Sequence, residues 1–204
     1  MDEALIESGA AKVPAGKWLM GRLQPVAALG PAVVRSQRGF IVPDRAAVLS
    51  VETTSDAWCA SADRPFLTRL SALPDESLCL VSGKLLVAPA ASRVKARMLK
   101  LVPMSFRRAT PVTEFRLGWA VAATKGRVSR VVVEDGRTLS VRPESLVAWI
   151  GKDPTGYCPK LSVWDILLPR GPKSLSYSFH GPCVVWFEGA QDLLRERRHP
   201  WPTR

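Results

Sequence analysis

Two histidines, His180 and His199, are all that 204 residues offer for metal ligation or proton transfer near neutral pH. A cupin-type metal centre on a β framework takes two or three histidines and a carboxylate from neighbouring strands. His180 on its own strand and His199 near the end of the chain do not supply that set, so no metal and no cofactor is expected. The four cysteines, Cys59, Cys79, Cys158 and Cys183, form no CxxC pair, which leaves zinc-ribbon and thioredoxin-type chemistry without support. Reduced, buried thiols are expected instead. A hydrolytic carboxylate pair would have to be gathered from Asp56, Asp63, Asp153 and Asp165, and no GxSxG, P-loop or GxGxxG pattern is present. No catalytic residue is assigned, and a non-enzyme is expected.

Charge points elsewhere. Lys and Arg total 29 against 18 for Asp and Glu, a formal net charge of +11, and arginine outnumbers lysine about two to one. Such a balance draws anionic partners and makes any nucleic-acid contact salt-dependent. The segment Ser92–Met98 alternates so that Arg93, Lys95 and Arg97 share one face of a strand, and Val94, Ala96 and Met98 the other. Lys100, Arg107 and Arg108 extend this basic stretch past Phe106, which could stack on a base. The same alternation equally describes a solvated face at a sheet edge, where positive charge discourages edge-to-edge pairing. Arg127, Arg130, Arg137 and Arg142 surround an Asp135-Gly136 turn, and Arg130 and Arg142 could clamp an anion, with Glu134 and Asp135 available to neutralise them. The basic, aromatic segment 195–204, with Arg197 and Arg198, is either a frayed end or an RNA or partner contact.

Positioning any of these residues falls to short strands. Apolar runs recur at Ala32–Arg35, Phe40–Val42, Ala47–Val51, Leu78–Val81, Leu85–Ala88, Leu146–Ile150, Leu175–Phe179 and Val184–Phe187, bounded by Gly, Pro, Ser or Asp. Seventeen prolines leave little room for long helices; helix is expected only near Asp63–Leu73 and Ala190–Arg198. The Asp135-Gly136 pair between β-branched flanks predicts a tight hairpin over Val131–Val141. Trp149, Trp164 and Trp186 lie within apolar runs and read as core or subunit-interface residues, while Trp18 and Trp201 read as contacts to something external. The apolar stretch Val26–Val34 is broken by Gly30 and Pro31, far short of a membrane span. The opening Met-Asp-Glu lacks the features of an export or transit signal, so a cytoplasmic location is expected, with a mitochondrial one left open.

The chain also repeats landmarks. Ile41–Val48 aligns with Val141–Ala148, pairing Pro43 with Pro143. Cys59 aligns with Cys158, and Leu80–Val87 with the residues around His180, pairing Gly83 with Gly181. Offsets near 100 residues predict a duplicated β unit. The division is an N-terminal extension over 1–20, a first β half over 21–100, a second over 101–190 sharing one core with the first, and a basic tail over 191–204.

Residues Gly126–Val133, the Asp135-Gly136 turn and Leu139–Trp149, followed by Phe179–Trp186, resemble the Altered Inheritance of Mitochondria 24 family. Its members carry a strand, a glycine turn, a "lyVrpgsLvAf"-like strand and a closing "F-x-G-x-G-x-V-W/Y" strand pair. The likeness covers about Leu117 to Gly189 and, more faintly, Leu23 to Pro89. Cys183 stands where the family usually has a second glycine. The short, regularly spaced strands predict an all-β sandwich, barrel or β-helix, and the resemblance implies a duplicated double-stranded β-helix similar to the tryptophan RNA-binding attenuation protein fold, often assembled as a small ring or trimer, with no established catalytic residues. Fungal members are linked to mitochondrial inner-membrane organisation. Function is therefore expected to be binding or scaffolding by a homo-oligomer. RNA or another polyanion bound on the basic face is one alternative, and a small-ligand sensor with a pocket between the halves is another.

Overall fold

Apolar and polar residues that alternate in short stretches, cut by Gly, Pro, Ser and Asp, can hide one face and show the other only as strands. The computed structural model describes residues 5–7, 9–21, 26–29, 32–35, 48–73, 75–90, 92–99, 110–116, 118–157 and 176–189. Among them the regular structure is β, apart from one turn of 3-10 helix at Ser82–Lys84. The all-β class expected from the sequence holds.

After β1 (Leu5–Glu7), the strands fall into three successive groups of six. The first group is β2 (Ala10–Val13), β3 (Gly16–Gly21), β4 (Val26–Leu29), β5 (Ala32–Arg35), β6 (Val48–Thr53) and β7 (Ala57–Ser61). The second is β8 (Phe66–Ser71), β9 (Ser77–Val81), β10 (Leu85–Pro89), β11 (Arg93–Leu99), β12 (Thr110–Arg116) and β13 (Trp119–Thr124). The third is β14 (Val128–Val133), β15 (Thr138–Val141), β16 (Leu146–Ile150), β17 (Thr155–Tyr157), β18 (Ser176–His180) and β19 (Cys183–Glu188).

The pairing is the same in each group. The first, sixth and third strands form one layer, and the second, fifth and fourth form the other, as in β8-β13-β10 and β9-β12-β11. Every group is thus a small sandwich. Adjacent sandwiches are welded where β3 pairs with β10 and β9 pairs with β16. This gives two six-stranded sheets, β5-β6-β3-β10-β13-β8 and β11-β12-β9-β16-β19-β14. The outer layers of the first and third sandwiches are the sheets β1-β2-β7-β4 and β15-β18-β17.

Each sandwich has its own apolar cluster. Trp18, Met20, Cys59 and Val121 belong to the first, Leu70, Leu80, Phe115 and Trp186 to the second, and Trp149, Tyr177, Phe179 and Val185 to the third. Strands at the welds are covered on both faces, so they read as unbroken apolar runs rather than as alternation. Leu85–Ala88 and Leu146–Trp149 are completely buried. Both weld strands carry the same irregularity against their neighbours, with one residue stepped over at Leu86 in β10 and at Val147 in β16. Gly21 closes β3 because a Cβ there would sit 2.1 Å from the Leu85 carbonyl oxygen.

The repeat count corrects the sequence reading. β3, β9 and β15 begin at residues 16, 77 and 138, a spacing of 61, and there are three copies rather than two. Gly83 lies in the turn joining second to third strand, whereas Gly181 joins fifth to sixth, so the landmarks paired at an offset near 100 are not equivalent. Pro143 is the residue that shares Gly83's kind of turn; Pro43 lies outside the described residues. The first group opens at Ala10, inside the stretch read as an extension.

The tight hairpin over Val131–Val141 is also corrected. β14 pairs with β19, and β15 pairs with β18. The Asp-Gly turn forms, with Gly136 at φ +73° and the Arg137 amide donating to the Glu134 carbonyl at 3.1 Å. It carries the chain round a corner from one layer to the other. Asp135 bridges to Gly181, where a Cβ would sit 1.8 Å from the Glu134 carbonyl oxygen. The expected helix near Asp63–Leu73 is instead strand β8, drawn into a six-pair ladder with β13. Trp18, expected to face outward, is buried: its Nε1 donates to the Pro14 carbonyl at 2.9 Å and its ring meets Trp119 at 5.8 Å.

Candidate functional site

The basic stripe forms the strand expected of it, and β11 is the last strand of its sheet. Its three charges divide there. Lys95 is exposed and stands in register with Glu114, while Arg93 stands opposite Arg116. Arg97 is drawn inward. Its Nη1 and Nη2 donate to Asp153 Oδ2 and Oδ1 at 2.5 and 2.6 Å, a bidentate fork. Nε lies 3.4 Å from Glu114 Oε2, Nη2 lies 3.3 Å from Cys79 Sγ, and the guanidinium stands 6.0 Å from the centre of the Trp149 ring. The Asp153 carboxylate holds the guanidinium's pKa above its ordinary value, and burial pushes the Cys79 thiol up to about 11. A phosphate would have to compete with all of these partners. Lys100, Phe106, Arg107, Arg108, Arg197 and Arg198 lie outside the described residues.

The arginines around the Asp-Gly turn do not converge as a clamp, because their strands belong to different layers. Arg130 stands on β14, 5.9 Å from the centre of the Trp186 ring. Arg137 faces Glu134 at 3.4 Å in the open, a contact worth little in water. Arg142 is exposed beyond the end of β15.

The scattered carboxylates are likewise engaged. Asp56 pairs with Lys12 at 2.8 Å, Asp63 lies 3.9 Å from Arg64, and Asp153 is held by Arg97; Asp165 lies outside the described residues. His180 is exposed and hydrogen-bonds Thr138 Oγ1 at 3.1 Å. Cys59, Cys79 and Cys183 are free and buried, and desolvation raises each thiol, Cys59 to about 11. Such thiols are poor nucleophiles. Trp149 and Trp186 are core residues, as expected.

One group escaped sequence reasoning. Lys84, in the turn between β9 and β10, is buried; its Nζ donates to the Glu144 carbonyl at 2.8 Å and to Glu188 Oε1 at 2.6 Å. Burial lowers its pKa and the Glu188 carboxylate opposes that shift. The other oxygen of Glu188 accepts the Lys125 amide at 3.0 Å, so one ion pair ties the second sandwich to the third. No local spacing signals a pair 104 positions apart.

The most open feature is the rim of the sheets. β8 and β14, the first strands of their groups, each end a six-stranded sheet. Two of the three large apolar side chains exposed among the described residues stand on them, Phe66 at 39% and Val132 at 57%. β14 pairs with β19 over six consecutive residues, without proline and without a register shift. Among the described residues its other edge carries no ladder.

No protein-family profile and no curated protein sequence matches this chain. Among solved structures it is similar to the crystal structure of protein SPYM3_0169 from Streptococcus pyogenes, with a TM-score of 0.68, 12% sequence identity, 98% of this chain and 99% of that chain covered. That likeness concerns the fold.

Proposed function

We propose that this chain is a non-enzymatic binding and scaffolding protein of the Altered Inheritance of Mitochondria 24-like type, working as a homo-oligomer whose copies pair through the β14 edge. The observation that carries this reading is β14 itself: a regular, unbulged terminal strand with a valine more than half exposed one residue from its end. Monomeric β proteins blunt such strands with charged side chains, lysine above all, with proline or with a bulge. β11, at the opposite end of the same sheet, carries Lys95 and is blunted in that way. Arg130 is drawn over the Trp186 ring on the neighbouring strand, which leaves Val132 as the side chain a second copy would cover. Lys84 beside a weld and Arg97 on β11 are taken up in fold-supporting pairs, which favours scaffolding over chemistry. Among the described residues no helix is long and apolar enough to cross a membrane.

Light scattering tests this reading. The chain at tens of micromolar is expected to show a multiple of 22.3 kDa that persists at high salt, and Val132→Lys to shift it toward the monomer. A wild-type monomer would overturn the proposal. RNA retained on a filter with steep salt dependence, and lost on Lys95→Ser, would favour a polyanion-binding role instead.

A further inference from the structure

The groups of six strands begin at equivalent points: Gly9–Ala10 at the start of β2, Pro65–Phe66 at that of β8, and Arg127–Val128 at that of β14. These three starts meet. Gly9, Phe66 and Arg127 line one cavity of about 330 Å³ that opens to solvent. Ile6, Leu67, Thr68 and Val128 complete the lining; Ile6 and Leu67 also pack against the first core and Val128 against the second. The backbones approach closely, since a Cβ on Gly9 would lie 3.3 Å from the Pro65 carbonyl oxygen. The cavity is therefore built by all three repeats, using the same position of each.

We propose that this cavity binds a small amphipathic carboxylate, its apolar part against Phe66, Ile6 and Val128 and its anionic head at Arg127. The cavity is open to solvent, so its volume sets only the scale of the apolar part; an enclosed cavity of about 150 Å³ holds one benzene ring. Twice that volume suits two fused rings or a medium alkyl chain. Charge selects the head: Arg127 is the one ionisable residue of the lining, is exposed, and makes no ion pair among the described residues. A guanidinium beside an apolar wall favours a planar carboxylate, which it meets with two parallel hydrogen bonds. Phe66, otherwise an exposed ring at a sheet edge, gains a role as the floor the ligand covers. The inference does not require self-association; Val128 belongs both to the lining and to β14, so naphthoate binding and oligomeric state are read separately.

The test is calorimetric titration of the full chain with 2-naphthoate, and with 2-naphthamide as the uncharged counterpart. Saturable 1:1 binding of the naphthoate is expected, weakened about tenfold or more in Arg127→Gln, while the naphthamide binds weakly and equally to both forms. Methyl resonances of Ile6, Leu67 and Val128 should shift on titration in the wild type. Absence of naphthoate binding at millimolar concentration overturns the proposal. So does binding unchanged by Arg127→Gln, or shifts that map away from those methyls. Arg127 is a surface residue, so its replacement leaves the fold intact, and unaltered thermal melting of the variant verifies this.

Discussion

Arg97 holds two carboxylates, a thiol and an indole face, and so fastens an edge strand to the loop beyond β16. Its side chain is about three-quarters covered, and truncation would leave Glu114, itself mostly covered, with only the exposed Arg116 as counter-charge. Breaking a partly buried pair of this kind costs about 2–3 kcal/mol, between the values for exposed and for buried pairs, because water still reaches Asp153. Arg97→Ala is expected to lower unfolding free energy by that amount in urea titrations. Arg97→Lys should recover part of it, since the charge survives but the fork does not. A change under about 0.5 kcal/mol would mean that the guanidinium is merely solvated. The alternation of Ser92–Met98 made the strand and its two faces legible. It did not reveal Asp153, because a partner 56 residues away leaves no trace in local spacing.

At the scale of the element, burial on two faces separates weld strands from rim strands. β9, β10 and β16 are paired on both sides and covered above and below, whereas β11 and β14 are each paired on one side. Opening a weld strand exposes two cores at once, so its amides should exchange only through global unfolding. Hydrogen exchange is expected to be slowest across Leu78–Val81 and Leu146–Ile150 and much faster along Arg93–Leu99. Equal protection of β11 and β16 would contradict this ranking. These same properties decided what the sequence made legible. Leu85–Ala88 and Leu146–Ile150 announce themselves as apolar runs because both faces are dry. β8 reads as helix in the sequence because Phe66, Leu67 and Leu70 also suit a 3.6-residue period, and only the ladder with β13 selects the extended form. The Asp135-Gly136 turn was correctly placed, but turn chemistry is local and cannot say which strands the two arms will join.

Across the whole molecule, one six-stranded motif used three times explains why there are two welds, three clusters and a cavity where three strand starts meet. The triplication was hidden because spacing between equivalent strands drifts with the length of the connections, from 56 residues to 66. Landmarks matched at a single offset therefore locked onto a false period near 100. What the repeats leave unsatisfied is the rim, and the proposed oligomer follows from that. Spin labels on Val132→Cys, measured between copies by pulsed dipolar spectroscopy, test the β14 pairing most directly. A six-residue strand spans ~20 Å and paired strands stand ~4.8 Å apart, so labels on two joined β14 strands should lie within about 25 Å in any register. A sharp intermolecular distance in that range is the predicted result; no intermolecular signal, or only distances well beyond it, would contradict the account.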